Sequence, residues 1–173
     1  DPANDIVAHH NHPSGASFSH TDVMALAYPG LRAVWAHGGK NGNVYRAELT
    51  PEFDAVPGTP AEKAKKIEAL HNHVRWRLRT LMQEAFDQKL VGLDEVNDGL
   101  NHLNNEVLAE AGVIDYRSNY ELGDLVARVP GLDVSIKNAV EAARKEAFGD
   151  KADSNRIDRR AGELRHAGDV GAT

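Results

Sequence analysis

The chain has 173 residues, with 20 basic against 26 acidic side chains, nine histidines and no cysteine. A formal charge of −6, 41% hydrophobic and 27% charged residues describe a globular composition long enough to bury a core, and argue against a generic phosphate-backbone binder. The absence of cysteine excludes disulfides, thiolate zinc sites and a cysteine nucleophile together, so any metal must be held by nitrogen and oxygen.

The chain opens Asp1-Pro2-Ala3-Asn4 without a methionine and reads as a processed product or an excised piece. Ile6-Val7-Ala8 predicts a short strand that enters the loop His9-His10-Asn11-His12-Pro13-Ser14-Gly15. Ser19-His20-Thr21-Asp22 precedes a short helix over Val23–Ala27, with Ser19 as its N-cap, and Pro29-Gly30 stops it. Two strands follow, Leu31–Ala36 and Val44–Leu49, joined across an Asn41-Gly42 hairpin signal. Pro51 to Pro60 reads as a linker, and the composition shifts near residue 57.

Thr59-Pro60 then begins a long helix to about residue 89, with Ile67, Leu70, Val74, Leu78, Leu81 and Phe86 as an apolar stripe. Gly92 breaks it. Leu93, Val96, Leu100, Leu103 and Val107 mark a second helix that pairs with the first as a hairpin. Asp115–Tyr120 reads as irregular, Leu122–Arg128 as a short helix, and Asp133–Phe148 as another amphipathic helix. A polar helix is expected near 153–166. The fold class is α+β: a small strand-helix-strand-strand module over 1–56 and a mainly helical region over 57–173.

Residues 9–22 carry the chemistry. His10 and His12 at the end of a strand leave the same face, with Cα atoms about 6.5–7 Å apart, a baseline from which two imidazoles converge on one Zn²⁺. Asp22, at the first turn of the next helix, can fold back as a third ligand, and Ser19 can cap that helix and donate its hydroxyl. Three protein ligands and one open position describe a catalytic rather than a structural zinc site. Ser19-x-x-Asp22 is equally a capping-box pattern, which competes with that reading.

His10-x-His12-Pro13 followed by Ser19-x-x-Asp22 resembles the signature of the JAB/MPN (JAMM) metalloproteins. Asn11-His12-Pro13-Ser14-Gly15 is most similar to the RadC-like and the bacterial or phage toxin-associated branches, and the resemblance covers about residues 5–50. It implies a zinc-dependent hydrolase, a peptidase or isopeptidase, with His10, His12 and Asp22 as ligands and Ser19 as an oxyanion- or water-orienting donor. The family's general base is a Glu on a strand before the motif; here Glu48 and Glu52 are the nearby carboxylates, and Glu48 is the candidate for the role. The resemblance also implies a toxin or effector, cytoplasmic or secreted, acting on a protein or peptide, with an immunity or carrier protein as a partner of the helical region. No signal peptide and no apolar run of about 20 residues is present, so no membrane partner is expected, and the acidic chain makes nucleic acid an unlikely partner.

Two other functions remain open on the residues alone. One is a nuclease or transferase in which His10 or His12 acts as acid or base without metal. The other is a non-catalytic module whose helices dock a partner. His71 and His73, two apart on a helix, diverge too far to share an ion, whereas His102 and Glu106 share a face. Arg75-Trp76-Arg77-Leu78-Arg79 reads as a solvated helix face.

Overall fold

The computed structural model describes residues 6–149. Its elements in chain order are β1 (Ile6–His12), α1 (His20–Ala25), β2 (Leu31–Gly38), β3 (Val44–Leu49), α2 (Pro51–Asp54), α3 (Pro60–Asp87), α4 (Leu93–Glu110), β4 (Ile114–Ser118), α5 (Leu125–Arg128) and α6 (Leu132–Phe148). The four strands form one sheet in the order β1-β2-β3-β4. The fold is α+β, a small sheet with a mostly helical second half.

β1 and β2 pair in parallel, so the chain must cross over between them, and α1 is that crossover. The other two pairs are antiparallel. Register then decides which side chains share a face. Ala8 lies beside Val34, Ala47 and Tyr116, and His10 beside Ala36 and Tyr45. That inner face is buried at Val34, Ala36, Tyr45, Ala47, Ile114 and Tyr116, and it carries His10 and His12. The outer face carries His9, Asn11, Trp35, His37, Arg46, Glu48, Asp115 and Arg117.

The helices close the inner face. Thr59 caps α3: its hydroxyl accepts from the Glu62 N–H while the Glu62 carboxylate accepts from the Thr59 N–H at 2.7 Å. The predicted stripe is buried at Ile67, Leu70, Val74 and Leu78, along with Met82 and Ala85 one turn on. Phe86, expected in that stripe, is more than one-third exposed at the C-terminal end of the helix. α3 and α4 pack as the expected hairpin, and α6 packs across both. Val34, Tyr45, Leu70, Leu103, Ile114 and Val140 all belong to one continuous apolar cluster, so the sheet and the helices share a core.

Two segments differ from their sequence reading. Asp115–Tyr120, expected to be irregular, holds all of β4 but its first residue: Ile114 and Tyr116 point inward while Asp115 and Arg117 point out, and the strand pairs with β3 from Leu49↔Ile114 to Tyr45↔Ser118. Within the expected linker, Thr50 accepts from the Phe53 N–H at 3.0 Å and caps the short α2, which buries Phe53 completely. The helix expected near 153–166 lies outside the described residues. No helix among the described residues is long and apolar enough to cross a membrane.

Candidate metal centre

β1 runs on through His12, so His10 and His12 do occupy one face of a strand, over the buried ring of Phe18. Both imidazole centroids lie 6.2 Å from that ring. The two Nε2 atoms are 2.8 Å apart. The crossover through α1 brings Asp22 to them, with Oδ1 3.2 Å from His10 Nε2 and Oδ2 3.6 Å from His12 Nε2. Among the described residues, His10, His12 and Asp22 are the group whose ligand atoms all lie within 4.8 Å of one another.

The surroundings orient these atoms. His12 Nδ1 donates to the Ala16 carbonyl at 2.6 Å, which leaves the lone pair on Nε2 facing the cluster. Asp22 Oδ2 accepts from both the backbone N–H and the hydroxyl of Ser19, at 2.8 and 2.7 Å, leaving Oδ1 as the less committed oxygen. Burial holds His10 below the ordinary histidine range, reinforced by His12 and His37 and opposed by Asp22, so its imidazole is neutral at pH 7. Two imidazoles and one carboxylate, with His12 fixed by a backbone carbonyl and Asp22 by Ser19, could hold a divalent metal ion.

The capping pattern and the ligand pattern coincide at Ser19. The hydroxyl that the sequence offers as an oxyanion donor is spent on Asp22, so its observed work is to aim a carboxylate. Glu48 is not brought to the cluster. It lies on the outer face, beyond the sheet from His10 and His12, and pairs with Arg46 at 2.6 Å. Glu52 lies in α2, beyond the far end of β3 from the cluster.

Sequence reasoning missed the loop's supports. The Gly15 carbonyl accepts from the Tyr45 hydroxyl at 2.8 Å and from Asn41 Nδ2 at 3.3 Å. Gly15 has φ +83°, and a Cβ there would lie 2.3 Å from Asn41 Nδ2. From the helical region, Asn105 Nδ2 lies 3.0 Å from both the Ser17 hydroxyl and the Phe18 carbonyl, while Ser17 Oγ lies 2.6 Å from the Tyr116 hydroxyl. Tyr116 continues the network to His102 Nδ1 at 2.8 Å. A signal existed: Asn104 and Asn105 interrupt the apolar stripe of α4, and both are fully buried.

The second histidine group separates as expected. His73 pairs with Glu146 on α6 at 2.8 Å, while His71 is buried without a hydrogen-bond partner, its ring 6.0 Å from that of His20. His102 Nε2 lies 3.6 Å from Glu106 on the same face of α4. Trp76 is 73% exposed, in keeping with a solvated face. No protein-family model, no curated protein and no solved structure matches this chain.

Proposed function

We propose that the chain is a zinc-dependent hydrolase of JAB/MPN type, acting on a peptide or isopeptide bond in a protein substrate. The observation that carries this reading is the convergence of His10 Nε2, His12 Nε2 and Asp22 Oδ1, with the second ring nitrogen of His12 committed to the Ala16 carbonyl.

His10, His12 and Asp22 would hold the ion, leaving a position open for substrate. When bound, zinc supplies a Lewis acid for a carbonyl oxygen and a water acidified to a pKa of about 7, ionised at neutral pH without a strong neighbouring base. This chain's own contribution is orientation. Ala16 fixes the tautomer of His12, Ser19 fixes the rotamer of Asp22, and the Phe18 ring beneath both imidazoles keeps water from their inner side. Glu48, across the sheet, takes no part.

The test is hydrolysis of Lys-isopeptide and linear peptide substrates by the full chain, before and after chelation. Activity abolished by chelator, restored by Zn²⁺ and lost in His12→Ala and Asp22→Ala supports the reading. The same activity in metal-free protein contradicts it, and cleavage of RNA or DNA unaffected by chelator would favour the metal-free acid–base chemistry of His10 and His12.

A further inference from the structure

β1 is an edge of the sheet: β2 flanks it on one side, and among the described residues no strand flanks the other. The pairing with β2 fixes which backbone groups are left over. Ile6 donates its N–H to the Gly30 carbonyl at 3.0 Å, and the His12 carbonyl accepts from the Gly39 N–H at 3.0 Å. The even-numbered residues of β1 therefore face β2. Val7, His9 and Asn11, which alternate with them, turn N–H and C=O to the open side. His9 and Asn11 are exposed. We propose that an extended segment of the protein substrate adds to this edge as a further, antiparallel strand.

The two edges of the sheet differ. β4 has five residues and carries Asp115 and Arg117, the shortness and charge that discourage an added strand. β1 has seven residues without proline, lysine, arginine or a carboxylate, and Ile6 at its start is 62% exposed. Its register against β2 is regular from Val7 to His12, so no bulge interrupts that stretch. An extended polypeptide repeats its donors and acceptors at the spacing of residues 7, 9 and 11. Antiparallel pairing lets each of them exchange two hydrogen bonds with the residue opposite. The residue opposite His10 then turns its side chain to the same inner face, with Cβ atoms about 4.5–5.5 Å apart. An occupant of this edge thus runs alongside His10 and His12, which is why it is assigned as substrate. That assignment rests on the hydrolase reading, whereas the strand pairing needs no metal. The competing occupant is β1 of a second copy.

A phage-displayed library of short random peptides, panned against the full chain in chelator, supplies the probe without turnover. The selected peptides are synthesised and scanned with single N-methyl amides in a fluorescence binding titration. The proposal expects affinity to fall about 10-fold at every second residue, where an amide donor to β1 is lost, with little change at the residues between. Val7→Pro, which removes one edge donor and no bond to β2, should weaken every selected peptide while circular dichroism matches the parent. Failure to select any peptide, or N-methyl effects without the two-residue alternation, overturns the strand addition, and so does a folded Val7→Pro protein with parental affinity. A dimer in sedimentation velocity that Val7→Pro dissolves assigns the edge to a second copy instead. Peptides that bind in alternation but are not cleaved when Zn²⁺ is restored leave the strand addition standing and defeat the hydrolase reading.

Discussion

His12 is engaged at both ring nitrogens, one by the Ala16 carbonyl and one by the cluster, and Asp22 is engaged at Oδ2 by Ser19. Such outer contacts set ligand orientation and basicity, and losing one typically weakens metal binding about 10–100-fold. Ser19→Ala should therefore lower zinc affinity within that range in a competition titration against a chromophoric chelator, while His12→Ala should lower it further. An unchanged affinity in Ser19→Ala would mean that Ser19 serves only as a helix cap. Glu48→Gln should leave both zinc affinity and hydrolysis as in the parent, because its carboxylate faces Arg46 beyond the sheet. At this scale the sequence told much: alternation along a strand places i and i+2 on one face, so His10 and His12 were legible. The Ala16 carbonyl was not, because a backbone acceptor leaves no mark in residue identity. Glu48 misled because its face depends on the register of β3 against β2, which no local pattern encodes.

At the scale of elements, α4 supports the loop that ends at Ser19. Asn105 holds Ser17 and the Phe18 carbonyl, and it is fully buried. Its replacement by alanine leaves those two groups without their amide donor, at a cost of about 1–3 kcal/mol each time a buried partner is left unsatisfied. Asn105→Ala should shift the urea midpoint downward and also weaken zinc binding, since Ser17 and Phe18, next to Ser19 in the chain, lose their anchor. A destabilised variant with parental zinc affinity would show that the loop is set from β1 and β3 alone, through Tyr45. The long helices were readable from their stripes because burial of one face at a 3.6-residue period is a strong constraint. β4 was not: five residues with charges at alternate positions carry too little apolar signal, and what makes them a strand is the open edge of β3.

Across the whole molecule, the shared core holds two histidines that burial drives far below their ordinary value. His71, also disfavoured by His20 and Arg75 and helped by Asp22, and His102 are both lowered to about 4. The unfolded chain takes up these protons near pH 6.5 and the folded chain only near 4, so stability is complete above 6.5 and falls as pH drops through that interval. Each histidine accounts for up to about 3 kcal/mol of that loss. His71→Leu, which removes a group without a hydrogen-bond partner, should lose less stability between pH 7.5 and 4.5 in urea unfolding than the parent does. An equal loss would show that His71 is protonated in the folded state as readily as in the unfolded one.

The candidate metal centre lies where β1 and α1 meet. Diffraction data collected at the zinc absorption edge, from crystals grown with Zn²⁺, test it most directly. The expected result is an anomalous peak about 2.0–2.1 Å from His10 Nε2, His12 Nε2 and an Asp22 oxygen. An inner face without that peak, with the His10 and His12 rings in van der Waals or hydrogen-bond contact only, would contradict the metal centre and the hydrolase built on it.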